Sequence, residues 1–245
     1  MREHVEHNRE SYNDHVDDWV CAMETNAGHI YSEKPAMEAV LPEDLSGKSV
    51  LCVGVGSGDE LSCVKRRGAS DVVGIDVSED LLRVARGKHP GVSFRHVDMM
   101  RASEVFDAER FEVVYSSLTF HYSQDWDVLL AEMKDVLVEG GLILVSTHHP
   151  GYWGRNPTGG EAVNDRGVCL TEHEATLPGG VDILYYNHPS TESVLEAFEH
   201  AGFTVLEGFA PSVVDVENPE LPGEYAALRS KNAETPLFFI VKATA

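Results

Sequence analysis

The stretch VLCVGVGSGDEL, Val50 to Leu61, places glycines at 54, 56 and 58, and no other feature restricts the fold of this chain as much. A short apolar run that breaks into alternate glycines and continues into a helical pattern is a strand–turn–helix joint. Glycine permits positive φ and lets a ligand touch the backbone, while free N–H groups at the helix start face the same place. Such joints wrap nucleotide-like ligands. The dinucleotide fingerprint G-x-G-x-x-G requires a glycine at position 59, where this chain has Asp59. A carboxylate there repels a pyrophosphate.

The rhythm around the joint sets the fold class. KSVLCVGVG, DVVGIDV, VSFRHVD, FEVVYSS and LILVSTHH read as buried strands. Between them lie the helical stretches DELSCVKRRG, SEDLLRVARGKH (Ser78 as N-cap) and SQDWDVLLAEMKDVLVEGG, stopped by Gly140 and Gly141. Strands spaced this way form βαβ units, hence a mainly parallel sheet with helices on both faces, and ligands bind beyond the carboxyl ends of its strands. After Pro150 the rhythm fails. Residues 151–188 read as an excursion rich in Gly, Pro and aromatics. STESVLEAFEHAGF restores a helix, with Ser190 or Thr191 as cap and Gly202 as stop; FTVLEGF is the next strand, PSVVDVENPELPGEY a loop, and LFFIVKA the closing strand.

Two carboxylates extend the glycine signal. Asp76 ends the second strand, where an acid accepts hydrogen bonds from the cis hydroxyls of a ribose. Asp98 follows the third strand, where a carboxylate accepts a bond from the exocyclic amine of adenine. Taken with the glycines, they map onto one edge of the sheet.

The chain resembles the class I S-adenosylmethionine-dependent methyltransferases, in the small-molecule branch that includes quinone-biosynthesis enzymes of type 11. The resemblance rests on VLCVGVGSG, VVGIDVSEDLL, VDMM, FEVVYSSLTFHY and VLVEGGLILVSTHHP, covering roughly residues 45–150, and more loosely on ESVLEAFEHAGF with the closing strand. It implies a Rossmann-like three-layer sandwich, with a seven-stranded mostly parallel sheet whose last strand is antiparallel, in a single domain spanning 1–245. It also implies that Gly54, Gly56 and Gly58 face the methionine part of S-adenosyl-L-methionine, Asp76 the ribose, and Asp98 with Met99 the adenine. Val77 then flanks the adenine plane, and Ser116 and Ser117 lie beside the sulfonium. Residues 1–45 form a helical lid in which Tyr12, with Trp19, folds over the cofactor. The alternative for that segment is a helix simply packed on the sheet. Two departures stand out: Cys52 where many relatives carry Asp, and Glu139 where they carry Pro.

Methyl transfer is an in-line displacement, so the protein chiefly aligns the acceptor and excludes water. A base is needed only when the acceptor must lose a proton. The candidates are His121, with Tyr122, after the fourth strand, and His148 and His149 after the fifth. No metal is expected: adjacent histidines on a strand point to opposite faces, and no further ligand stands at familiar spacing. The acceptor pocket is expected from residues 151–188 and 211–233, with Tyr152, Trp153, Tyr185 and Tyr186 either lining it or forming a satellite core. The alternatives to a methyltransferase are an NAD(P)-dependent oxidoreductase, disfavoured by Asp59, and a cofactor-binding protein without transfer activity.

Composition narrows the partners. Among 245 residues, 41 acidic side chains face 19 basic ones, for a net charge of −22. That balance excludes nucleic acid and anionic membrane surfaces as partners and leaves a small-molecule substrate. The acids are dispersed along the chain, the pattern of a surface kept soluble in high salt, so a halophilic source is the expectation. Four cysteines without C-x-x-C spacing read as reduced thiols, with Cys52 a packed and unreactive one. A polar N-terminus and no long apolar run point to a cytoplasmic protein.

Overall fold

The computed structural model describes residues 2–106, 110–153, 160–164 and 166–245. The chain opens with α1 (Arg2–Asp14) and α2 (Val16–Glu24); a π-turn over His29–Glu33 then runs directly into α3 (Lys34–Val40). The alternating region follows as β1 (Ser49–Val53), α4 (Leu61–Arg66), β2 (Asp71–Asp76), α5 (Glu79–Lys88) and β3 (Ser93–His96). It continues through α6 (Ala102–Val105), β4 (Phe111–Ser116), α7 (Trp126–Val136) and β5 (Leu137–His148). Then come α8 (Pro150–Trp153), β6 (Glu161–Val163), β7 (Cys169–Thr176) and β8 (Asp182–Asn187). The chain closes with α9 (Thr191–His200), β9 (Thr204–Phe209), α10 (Pro222–Glu234) and β10 (Phe238–Thr244).

Seven strands form the main sheet in the order β3-β2-β1-β4-β5-β10-β9. β1, β2, β3, β4 and β5 pair in parallel, and β10 runs antiparallel to both β5 and β9. The reversal between β1's two neighbours leaves a crevice at the strands' carboxyl ends, which is where ligands bind on such sheets. Period-two alternation builds a core on each face. Leu51, Val53, Val73 and Ile75 pack with Trp126, Leu129, Met133 and Phe198 from α7 and α9. Val50, Cys52 and Val72 pack with Met37, Leu61 and Leu82 from α3, α4 and α5.

Three segments differ from the sequence reading. The helix expected to run to Gly140 ends at Val136, because Leu137 takes extended backbone and pairs with Phe111, which lengthens β5 at its start. The segment 151–188 contains a three-stranded antiparallel sheet, β6-β7-β8. The loop expected through PSVVDVENPELPGEY gives way at Pro222 to the thirteen-residue helix α10, whose Tyr225 and Leu228 are buried against Tyr31.

The N-terminal helix is clamped to the small sheet. The Asn8 amide donates to the Leu184 carbonyl and accepts from the Leu184 N–H, both at 2.8 Å, so one side chain satisfies backbone groups of β8. Ser11 Oγ accepts from Asp182 N–H, and the Ser78 hydroxyl donates to Asn13 Oδ1. α1 thereby bridges the small sheet and the start of α5. Among the described residues, no helix is long and apolar enough to cross a membrane.

Candidate active site

The glycine joint has the backbone its residues require. Gly54, Gly56 and Gly58 have φ of 65°, 51° and 85°, in the left-handed region that favours glycine. A Cβ on Gly54 would lie 2.2 Å from the Thr119 side chain, whereas one on Gly56 would meet nothing within 4 Å. Gly54 is therefore small because the loop after β4 presses on it, and Gly56 leaves space open. Asp76 fixes the turn from the next strand: Gly56 N–H donates to Oδ2 and Ser78 N–H to Oδ1, each at 2.8 Å. Ser78 supplies the cap of α5, its Oγ accepting from Leu81 N–H. Asp76 is thus free of capping duty. Burial raises its carboxyl above the usual range in spite of those backbone donors.

A cavity of about 640 Å³ opens at this edge. Gly54, Gly56, Asp76, Val77, Asp98 and Met99 line its floor, and Val97 and Met100 add an apolar wall. Asp98 Oδ1 also accepts from Met100 N–H, fixing the short 3-10 turn that carries Met99. Tyr12 and Trp19 also line the cavity, with ring centroids 5.2 Å apart, and the Tyr12 hydroxyl is 2.6 Å from that of Tyr122.

Two of the expected contact residues stand elsewhere. Ser116 is wholly buried within the sheet and donates to the Val53 carbonyl, so of the serine pair only Ser117 reaches the cavity. Gly58 is not among the lining residues; a Cβ there would lie 2.9 Å from the His89 ring, and its N–H closes the turn on the Val55 carbonyl.

The histidines divide in the same way. His121 and His148 line the cavity and stack with centroids 4.2 Å apart. Burial and the neighbouring ring hold His121 well below the usual imidazole range, and burial together with His173 holds His148 at about 4. Both stay neutral at pH 7. His121 is 1% exposed, and neither ring nitrogen has a hydrogen-bond partner among the described residues, which leaves one donor and one acceptor for a ligand. His149, on the opposite face, is absent from the lining; its Nδ1 accepts from Gly151 N–H.

Of the excursion aromatics, Tyr152 lines the cavity under the Lys231 ammonium, 4.5 Å above the ring. Tyr185 stacks on His173 in a satellite core with Val181 and Ile183. Tyr186 is buried and reaches His4, and the side chain of Trp153 lies outside the described residues.

Three acidic or basic groups escaped the sequence reading. Glu60 lines the cavity, and burial with Asp59, Glu33 and Asp76 nearby pushes its carboxyl well above the usual range. His29 lines the cavity from the π-turn, and Glu33 is buried behind it at 1% exposure. The turn has no distinctive residue pattern, since HIYSE lies inside an ordinary helical stretch. Leu118 also lines the cavity and holds φ of 49°, a strained value for a branched residue; its N–H donates to Ser146 Oγ.

The residues present suit S-adenosylmethionine. Open space at Gly56, the carboxylate of Asp76 and the apolar side chains of Val77, Val97 and Met99 lie on one cavity, the kinds of surface such a cofactor would need. Among the described residues, no cluster of three or more His, Cys, Asp or Glu is arranged to hold a metal.

The order β3-β2-β1-β4-β5-β10-β9 with its antiparallel β10, and a glycine joint facing two strand-end carboxylates, define a class I S-adenosylmethionine-dependent methyltransferase. Residues 51–145 match the family model Methyltransf_11, described as a methyltransferase domain. An uncharacterized protein of Haemophilus influenzae is 27% identical over 223 residues, covering 85% of each chain. The demethylmenaquinone methyltransferase of Lactococcus lactis is 28% identical over 113 residues, 44% of this chain and 45% of that one. The crystal structure of an S-adenosylmethionine dependent methyltransferase from Mesorhizobium loti superposes with a TM-score of 0.64 at 25% identity, covering 91% of this chain and all of the other.

Proposed function

We propose that this enzyme methylates a small, largely apolar acceptor that enters beside His121 and His148. The observation that carries the reading is His121: a buried neutral imidazole on the cavity wall, with both nitrogens lacking a partner among the described residues. A polar ligand atom is the natural partner for such a group. When bound, the cofactor supplies a methyl group already activated by positive sulfur. In this reading Asp76 holds the ribose hydroxyls, and Asp98 with Met99 and Val77 holds the adenine. Gly54, Gly56 and Ser117 border the methionine part, and Tyr12 with Trp19 forms a lid that excludes water. His121 and His148 serve as neutral hydrogen-bonding groups, because imidazoles held so far down accept protons poorly at pH 7. Residues 1–45 act as the lid, and 151–188 with 211–233 as the acceptor wall, within one domain over 1–245.

The net charge of −22 supports a cytoplasmic enzyme of a salt-rich interior that acts on neither nucleic acid nor membrane. The test is conversion of S-adenosylmethionine to S-adenosylhomocysteine against a panel of phenols, quinols and amines. Turnover with at least one, reduced roughly tenfold or more by His121→Phe, is expected. Activity confined to RNA or protein acceptors overturns the reading.

A further inference from the structure

A carboxylate–imidazole pair borders the cavity and has no part in the chemistry so far assigned. His29 and Glu33 are the first and last residues of the π-turn, a rare geometry that recurs at functional sites. His29 Nδ1 lies 2.9 Å from Glu33 Oε2. The other oxygen, Oε1, accepts the Ser117 hydroxyl at 2.8 Å and the Ser146 hydroxyl as well. Glu33 is therefore tied to the ends of β4 and β5, and its second oxygen lies within ion-pair distance of the imidazole. Burial alone would raise the Glu33 carboxyl; the bonds from His29, Ser146 and Ser117 outweigh it and keep the group below its usual range. Nδ1 is the nitrogen nearer Glu33, and His29 lines the cavity together with Ser117 and Leu118.

We propose that His29 is the general base that takes the acceptor's proton, with Glu33 as the positioning residue that fixes its tautomer and stabilises the imidazolium. The inference rests on the methyl-transfer reading above. It also names the acceptor class: a nucleophile that must lose a proton, such as a hydroxyl, a phenol or an ammonium. The proton of the acceptor X–H passes to Nε2, the pair left on X forms the bond to the methyl carbon, and the carbon–sulfur pair departs on sulfur. Solvent then removes the proton from the imidazolium. A buried carboxylate on the far nitrogen is the arrangement that makes an imidazole an oriented base. Other titratable groups on the same cavity are Lys231 and Glu224 from α10, Asp59 and Glu60 from the glycine joint, Asp76 and Asp98 at the strand ends, the tyrosines Tyr12, Tyr122 and Tyr152, and the neutral His121 and His148.

The full-length enzyme is assayed with catechol, phenol and small primary amines. For whichever acceptor turns over, His29→Gln lowers kcat roughly 100-fold, while S-adenosylhomocysteine affinity stays within about twofold. Glu33→Gln can still accept from both serines. It lowers kcat roughly tenfold, and Glu33→Asp, which keeps a carboxylate, recovers part of the loss. A second reading needs no acceptor: labelling with diethyl pyrocarbonate, followed by peptide mapping. With S-adenosylhomocysteine bound, His29 reacts roughly tenfold faster than His121 or His148, and Glu33→Gln removes that advantage. Undiminished kcat in His29→Gln, or His29 labelling no faster than the other two, overturns the base. Failure of the wild-type enzyme to bind S-adenosylhomocysteine overturns the methyl-transfer reading instead, and the labelling order in the unliganded enzyme then decides the pair.

Discussion

Gly56 N–H donates to Asp76 Oδ2 at 2.8 Å, so the turn that borders the cofactor space and the strand end beneath it are one hydrogen-bonded unit. Asp76→Ala removes that acceptor together with the one used by Ser78. The expected result is a loss of cofactor affinity of about 1.5–3 kcal/mol, tenfold or more, with a lowered Tm. Calorimetric titration and thermal melts measure both; an unchanged affinity contradicts the assignment.

Gly54→Ala and Gly56→Ala should fail differently. Both glycines have positive φ, but only Gly54 is pressed by Thr119 at 2.2 Å from a built Cβ. Gly54→Ala is expected to cost about 2–4 kcal/mol of stability, while Gly56→Ala loses about 1 kcal/mol and mainly weakens cofactor binding. Melts and titrations on both variants separate the two effects.

Tyr12→Phe deletes the bond to the Tyr122 hydroxyl and leaves the ring on Trp19. Stability falls by about 1 kcal/mol. If α1 is a lid, S-adenosylhomocysteine also dissociates faster, with little change in association rate, as read by stopped-flow fluorescence of Trp19.

Acid should weaken the fold through buried imidazoles. Burial and His173 hold His148 at about 4; burial and Arg166 hold His188 at about 4. An unfolded histidine titrates near 6.5, so the native state binds fewer protons in this window. The associated stability is complete above about pH 6.5 and is lost as pH falls towards 4, up to about 3 kcal/mol per group. Tm should be flat near pH 7–8 and fall steeply below 6.5. His188→Gln, which keeps a partner for Ser193, should flatten the slope.

Much of this was legible in the residues. The βαβ rhythm, the positive-φ glycine turn, the strand-end position of Asp76, the Ser78 cap and the burial of Cys52 all depend on local pattern, and the structure reproduces them. What stayed hidden depends on tertiary choice. Ser116 and Ser117 look equivalent until the pleat sends one into the sheet, and His148 and His149 part for the same reason. The end of α7 at Val136 was set by pairing across to Phe111, not by the glycines beyond it. The His29–Glu33 pair was invisible because a π-turn leaves no periodic mark and Glu33 finds its partners 84 and 113 residues away.

Salt tests the reading of the surface. With a net charge of −22, repulsion among acids is screened by added salt, so Tm should rise between 0.1 M and 2 M KCl. A Tm that is already maximal in dilute buffer contradicts a salt-adapted enzyme.

Calorimetric titration of the wild-type enzyme with S-adenosylhomocysteine, and separately with NAD and NADPH, tests the central claim most directly. The glycine joint with Asp59 in place of a third fingerprint glycine predicts one-to-one binding of S-adenosylhomocysteine and none of either dinucleotide. Binding of a dinucleotide with no heat from S-adenosylhomocysteine would contradict it.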